Sequence, residues 1–121
     1  MSLVVYGIPT CGTVKKARSW LAARGLAWTD VDLRQTPPSA ERIATWAAAC
    51  GAATLRNTSG ASYRALGPEK DGWSDQRWIQ AFAADPMLIR RPVIERDGAP
   101  ALVGFNLPED EIARRLGLAT P

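Results

Sequence analysis

The chain opens with two strand-like runs that are separated by one helical pattern. Leu3-Val4-Val5-Tyr6 is a continuous apolar run closed by Gly7, which is typical of a buried strand. Apolar residues at positions 14, 17 and 21 then follow the helical spacing, and Gly25 ends that pattern. Residues 28–33 alternate loosely between apolar and polar side chains and predict a second strand. Strand, helix and strand in this order form a right-handed βαβ unit, which commits the chain to an α/β fold.

Residues 38–86 predict a helical insertion. Ser39 has the hydroxyl of a helix N-cap, and the helix that follows carries an apolar stripe. The stripe consists of Ile43, Trp46, Ala47 and Cys50. Residues 51–72 are rich in Gly, Ser and Asn, so we expect irregular structure with short helical turns. Ser74 caps a further helix, in which Trp78 is expected to face inward, and Asp85-Pro86 ends it.

The remaining residues predict a β-hairpin and a closing helix. Residues 93–96 and 101–103 flank Asp97-Gly98, a strong hairpin signal. The last helix is expected to begin at residue 106 or 107, with Pro108 in its first turn. A βαβ unit followed by a ββα unit is the thioredoxin-like arrangement. We therefore predict one α/β domain over residues 1–121, a thioredoxin-like fold with a helical insertion of about residues 38–86 between the two units.

The absence of histidine limits the chemistry of this 121-residue chain. It excludes Ser-His-Asp and Cys-His catalysis and histidine-ligated zinc, and two cysteines cannot form a four-thiolate metal centre. We expect no metal and no tightly bound cofactor. The net charge is +3, with the basic residues spread along the chain, which argues against DNA and suits a small anionic substrate.

The apolar N-terminal segment does not predict targeting to a membrane. Residues 1–8 lack a basic region, stop at Pro9, and are too short for a signal peptide. No run approaches the ~20 apolar residues that a transmembrane helix needs. We expect a cytoplasmic protein without membrane contact, in which thiols stay reduced.

Cys11 is the residue best placed for chemistry. It lies between the first strand and a helix expected to begin at Gly12 or Thr13, so free N–H groups and the positive end of the helix dipole face its sulfur. Such a setting lowers a thiol pKa from about 8.5 to roughly 3.5–7.5 and yields a thiolate nucleophile. Gly12 also leaves room for an approaching anion. The alternative is an inert buried cysteine that happens to precede a helix.

No second cysteine accompanies Cys11 in its motif, because position 14 is Val. An intermediate on Cys11 must therefore be resolved by Cys50 or by an external thiol such as glutathione. We favour the external thiol, because Cys50 lies on a predicted apolar stripe and is expected to be a packed core residue.

Arginines supply the candidate anion-binding groups. Arg91 precedes Pro92 at the start of a strand, where a cis X-Pro bond would hold the backbone close to the thiol loop. Its planar guanidinium can bind an oxyanion through two donors. The alternative for Arg91 is a solvated surface charge. Arg56 and Arg64 lie in the insertion, and each alone is more typical of a surface charge.

Four segments carry a resemblance to a known family. They are residues 6–18 (YGIPTCGTVKKAR), 55–57 (LRN), 88–92 (LIRRP) and 102–105 (LVGF). Here the sequence resembles the ArsC/Spx-like family, which comprises arsenate reductases and relatives with a thioredoxin-like fold. The Gly-Phe pair at 104–105 and the Lys-Lys-Ala-Arg helix start at 15–18 look most like its YffB branch, arsenate-reductase-like proteins regarded as glutathione-dependent thiol reductases.

The resemblance implies a thiolate that attacks arsenate, two arginines that hold the oxyanion, and reduction to arsenite completed by glutathione with glutaredoxin. The implied site comprises the nucleophile Cys11, the anion-loop residues Thr10, Gly12 and Thr13, and Arg56 and Arg91, which clamp the substrate or the glutathione carboxylates. It thus implies a glutathione-linked thiol reductase of arsenate-reductase type.

Two departures from the family pattern bear on this expectation. A third arginine normally follows the hairpin, but residues 103–106 read Val-Gly-Phe-Asn. Losing one charged contact costs about 1.5–3 kcal/mol, or roughly 10–150-fold, so we expect arsenate to be a poor substrate. The Spx branch binds RNA polymerase and commonly carries a Cys-x-x-Cys switch. Val14 breaks that motif and argues against the alternative function, an Spx-like transcription regulator without catalysis.

Overall fold

The computed structural model of the protein describes residues 1–118 and divides into two compact parts. The sheet lobe comprises residues 1–32 and 91–118, and the helical lobe comprises Leu33–Arg90. The predicted single domain stays a prediction. No helix among the described residues is both long and apolar enough to cross a membrane.

Strands and helices alternate at the start of the chain, and helices fill its middle. The strands are β1 Leu3–Gly7, β2 Thr29–Asp32, β3 Val93–Arg96 and β4 Ala99–Val103. The α-helices are α1 Gly12–Ala23, α2 Ala40–Cys50, α3 Ala52–Leu55, α4 Ala61–Arg64, α5 Asp75–Ala84 and α6 Glu109–Arg115. Two 3-10 segments lie at Pro68–Gly72 and Pro86–Leu88.

The sheet lobe contains one four-stranded sheet in the order β2-β1-β3-β4. β1 is parallel to β2, as a βαβ unit requires, and antiparallel to β3, with Tyr6 opposite Val93. β3 and β4 form the predicted antiparallel hairpin, and Asp97 and Gly98 at its turn both have positive φ. The predicted α/β, thioredoxin-like order of elements is confirmed.

Apolar residues from both ends of the chain form the core of the sheet lobe. It combines side chains of β1, α1, β3, β4, α6 and the loop after β4: Leu3, Val5, Val14, Ala17, Leu21, Ile94, Leu102, Phe105, Ile112 and Leu116. Because this cluster contains the apolar stripes of both α1 and α6, it ties these helices to the sheet.

The predicted start of the last helix was wrong. Helix α6 begins at Glu109, and Pro108 precedes it in an extended conformation (φ −57°, ψ 148°). A proline ring disfavours helical geometry in the residue before it, so Leu107 cannot continue a helix into Pro108. Pro108 therefore occupies the N-cap position.

The helical lobe follows the predicted caps. Ser39 Oγ accepts a hydrogen bond from the Arg42 N–H at 3.1 Å, and Ser74 Oγ accepts one from the Arg77 N–H at 3.1 Å. These hydroxyls satisfy N–H groups that the first turns of α2 and α5 cannot pair internally. The segment 51–72 forms short helical turns, as expected. Cys50 ends α2 half-buried rather than fully packed.

Candidate active site

A short loop after β1 positions Cys11 directly before α1. The Cys11 N–H donates a hydrogen bond to the Ile8 carbonyl at 3.2 Å, and the Cys11 carbonyl accepts one from the Lys15 N–H at 3.0 Å. At the start of the loop, a Cβ atom on Gly7 would lie 2.6 Å from Val14 Cγ2. The close approach of β1 to α1 at Gly7 therefore helps to fix the loop that carries the thiol.

The surroundings of Cys11 favour a thiolate. The side chain is half-buried and packs against the core. This burial raises the pKa of the thiol. The N–H groups of Val14 and Thr13 and the Arg91 side chain lower the pKa by more than burial raises it, so the pKa of Cys11 is below its ordinary value. The side chain forms no short N-cap hydrogen bond. The thiolate is thus stabilised by helix amides and one cation acting together.

The three predicted loop residues lie on either side of Cys11. Thr10 and Gly12 are exposed, whereas Thr13 is half-buried. Thr13 contributes through its backbone N–H, which acts on the sulfur. Apart from its two chain neighbours and the backbone of α1, no atom of the described residues lies within 4 Å of a Cβ built on Gly12. The N-terminal end of α1 is therefore open beside the thiol, where an anion could approach.

Arg91 lies in the sheet lobe and acts on the Cys11 sulfur. The Arg91-Pro92 peptide bond is cis, as the sequence suggested. The Pro92 carbonyl accepts a hydrogen bond from the Gly104 N–H at 2.7 Å, and the Phe105 side chain is 2% exposed. The segment in which the family resemblance leads one to expect a third arginine thus supplies a backbone contact and an apolar core residue here.

Arg56 lies in the helical lobe on a firmly held piece of backbone. It forms an isolated antiparallel bridge with Ile89. On either side, the Arg90 N–H donates to the Leu55 carbonyl at 2.7 Å, and the Asn57 N–H donates to the Leu88 carbonyl at 2.8 Å. The backbone of Arg56 is therefore held by residues 88–90 of the same lobe.

One contact of Arg56 could not be found from the sequence. Its guanidinium carbon lies 4.3 Å from the centre of the Trp78 ring. The sequence predicts Trp78 only as an inward-facing residue of its helix. No motif or helical spacing relates it to Arg56, which stands before α4 in an irregular stretch.

A small cleft of about 80 Å³ lies among β1, β2 and α1. Val5, Ile8 and Val14 supply apolar walls, and Arg18 and Asp30 also line it. Arg18 Nη2 and Asp30 Oδ2 form an ion pair at 2.9 Å. Because these two charges compensate each other, the cleft attracts an anion less strongly than the N-terminal end of α1 does. Among residues 1–118, no group of three or more acidic or cysteine side chains is arranged so that it could bind a metal ion.

A four-stranded mixed sheet, with a cysteine before its first helix and no partner cysteine in that motif, defines a protein of thioredoxin-like fold whose motif contains one cysteine. Residues 6–114 match the ArsC family, and the chain belongs to that family.

Curated relatives of the chain differ in their functions. YusI of Bacillus subtilis is 35% identical over 110 residues, covering 88% of this chain and 92% of YusI. The global transcriptional regulator Spx of Lactiplantibacillus plantarum is 28% identical, covering 94% of this chain and 86% of that protein. An arsenate reductase of Rhizobium meliloti is 29% identical, covering 78% of this chain and 69% of that protein. The family thus includes both reductases and regulators.

Solved structures share the fold over almost the whole chain. The protein YFFB superposes with a TM-score of 0.85 at 34% identity, covering 95% of this chain and 99% of that one. A protein described as a possible arsenate reductase from Streptococcus mutans superposes with a TM-score of 0.82 at 30% identity, covering 91% and 96%.

Proposed function

We propose that this protein is a glutathione-linked thiol reductase of arsenate-reductase type, with Cys11 as its nucleophile. The lowered pKa of the Cys11 thiol, with helix amides and Arg91 acting on the sulfur, is the observation that carries the proposal. Attack on an oxyanion or a disulfide requires a thiolate, and a lowered pKa increases the thiolate fraction at a given pH. The R. meliloti arsenate reductase, whose match spans 97 residues, supports the same chemistry.

The proposed reaction is a two-electron reduction. The Cys11 thiolate forms a bond to pentavalent arsenic, and one arsenate oxygen takes up protons and leaves as water. A glutathione thiolate then attacks the Cys11 sulfur and breaks the sulfur–arsenic bond, whose electron pair stays on arsenic. Arsenite is released, and the two thiols are oxidised to a mixed disulfide. A glutaredoxin thiol attacks the glutathione sulfur of that disulfide and returns Cys11 as a thiolate.

Cations and amides have separate roles in this proposal. The N–H groups at the start of α1 and the guanidinium of Arg91 stabilise negative charge at the thiol loop. Arg56 is the second arginine that the family resemblance implies for binding the oxyanion or a glutathione carboxylate. With no arginine at residues 103–106, we expect arsenate to bind about 10–150-fold more weakly than it would with a third charged contact.

Arsenate-dependent oxidation of NADPH tests the proposal, with glutathione, glutathione reductase and glutaredoxin as the coupling system. Turnover is expected for the native protein and for Cys50→Ser, because an external thiol resolves the intermediate. Cys11→Ser is expected to abolish turnover, and a Cys11→Ser variant that still turned over would overturn the mechanism. Loss of turnover in Cys50→Ser, with the fold intact, would make Cys50 the resolving thiol instead.

A binding assay with RNA polymerase separates this proposal from the Spx-like alternative. The L. plantarum Spx is the relative that motivates it. Position 14, where the Spx switch has its second cysteine, is Val here, and that side chain is buried in the core. Polymerase binding that survives Cys11→Ser, together with no thiol turnover, would favour a regulator over a reductase.

A further inference from the structure

The side chain of Arg56 is oriented by an aromatic ring rather than by a carboxylate. Its guanidinium carbon lies 4.3 Å from the centre of the Trp78 ring, which is a cation–π distance. Arg56 Nε is buried and has no hydrogen-bond partner, and no ion pair among residues 1–118 includes Arg56. The ring is therefore the contact that determines where the guanidinium lies.

Three other aromatic residues hold the Trp78 ring in place. Trp78 is only 1% exposed. Tyr63 stacks on it with ring centres 6.2 Å apart and an interplanar angle of 11°, while Trp73 meets it edge-on at 4.9 Å. Phe82 packs against it at 5.7 Å in a tilted arrangement. A large side chain enclosed in this way has little rotational freedom.

The backbone of Arg56 is fixed from the other direction. The bridge to Ile89 and the flanking hydrogen bonds of Leu55 and Asn57 hold the main chain. The backbone and the guanidinium of Arg56 are thus each held by contacts of their own. A carboxylate would orient the guanidinium but neutralise it, whereas an aromatic ring leaves its charge and its outer N–H groups available to an anion.

We propose that Trp78 is a positioning residue for Arg56, holding its guanidinium ready for an anionic substrate. The inference rests on the proposed anion-binding role of Arg56. Trp78 itself is too buried to touch a substrate, so it acts through the arginine.

Nuclear magnetic resonance of the Arg56 side chain tests the positioning directly, without any activity. In the native protein the ring current of Trp78 should shift the Arg56 side-chain protons upfield, and ¹⁵N relaxation of Arg56 Nε–H should show an ordered group.

Variants assign the Arg56 signal and test the role of Trp78. Arg56→Lys identifies the signal by its loss. Trp78→Leu should lower the order, and Trp78→Phe should restore most of it. Trp20→Leu is the matched control, because it removes an indole that packs against Phe105 and Arg24 in the sheet lobe, and it should leave the order of the Arg56 side chain unchanged. Unshifted Arg56 protons in the native protein would overturn the inference, and this arm needs no variant to fold.

A double-mutant cycle tests the consequence for the substrate. Trp78→Leu should raise KM for arsenate by about twofold to thirtyfold in the native background and leave it unchanged in the Arg56→Ala background. An equal rise in both backgrounds would mean a general structural effect and would overturn the inference. If the native protein turned over no arsenate, the proposed reductase function would fail, while the resonance measurements would still decide the role of Trp78.

Discussion

The guanidinium of Arg91 acts on the sulfur of Cys11 and stabilises its thiolate form. The sheet explains why two residues so far apart in the chain meet. β1 and β3 are antiparallel neighbours with Tyr6 opposite Val93, so the loop that leaves β1 and the segment that enters β3 lie at the same end. Cys11 follows one of them, and Arg91 lies at the other.

Removing the Arg91 charge should raise the pKa of Cys11. Less thiolate is then present at neutral pH, so alkylation of Cys11 by iodoacetamide should slow, and the acid limb of its pH profile should move to higher pH. Arg91→Ala should lower kcat/KM by roughly 10–150-fold, and Arg91→Lys should recover part of the loss through its charge but not through the two-donor fork.

Arg90→Ala is the matched control for Arg91, because it removes the neighbouring charge. It should leave the titration of Cys11 unchanged. A Cys11 profile that is identical in the native protein and in Arg91→Ala would make Arg91 a bystander.

Tyr6→Phe should destabilise the protein by about 1–3 kcal/mol. The Tyr6 hydroxyl donates a hydrogen bond to Glu95 Oε1 at 3.1 Å, and Glu95 is 2% exposed. The change removes the hydroxyl that donates to the Glu95 carboxyl group. Because that carboxyl group is buried, water cannot readily take the place of the lost donor. Urea denaturation measures the loss, with Tyr63→Phe as control because the Tyr63 hydroxyl forms no hydrogen bond among the described residues. Equal effects of the two changes would contradict this role.

Gly7→Ala should destabilise the protein by about 1–3 kcal/mol through overpacking. Its new methyl group would meet Val14 Cγ2 at 2.6 Å, whereas Gly12→Ala places one in open space and should be nearly neutral. If the clash is the cause, the Gly7→Ala/Val14→Ala double variant will be more stable than the sum of the single changes predicts. Simple additivity in thermal or urea unfolding would show another cause.

Glu111→Gln should slightly lower the free energy of unfolding at neutral pH and low salt. Arg114 and Arg115 lower the pKa of the Glu111 carboxyl from 4.5 to about 2, with Arg114 Nη2 at 2.6 Å and Arg115 Nε at 2.9 Å. The lowered pKa means that the stabilisation is complete above about pH 4.5 and is lost as the pH falls through about 2. The pairs are exposed, so the effect is small and screened by salt.

The control for Glu111 is Glu109→Gln, which removes an acidic group from the same first turn of α6 but no ion pair among the described residues. Its effect on the unfolding midpoint should be smaller. A difference between native protein and Glu111→Gln that is as large at pH 2 as at neutral pH would rule out the ion pairs as its source.

Local patterns were enough to predict most elements of the fold. Periodicity places α1, hydroxyl caps place the starts of α2 and α5, and Asp97-Gly98 places the hairpin, because each signal depends on residues within a few positions of one another. The error at the start of α6 also concerns only a few neighbouring positions. The choice between Leu107 and Glu109 as the first helical residue depends on the single proline between them.

The sequence by itself determined the kind of chemistry that is available. With no histidine and one cysteine directly before a helix, a thiol is the strongest candidate nucleophile, and its place at the N-terminus of α1 follows from local order. Only the tertiary structure decided which groups act on it and on its proposed partners. Arg91 reaches Cys11 through the pairing of β1 with β3, and Trp78 reaches Arg56 through packing in the helical lobe. Such contacts depend on how distant segments pair and pack, and no periodicity or spacing within one segment records that arrangement.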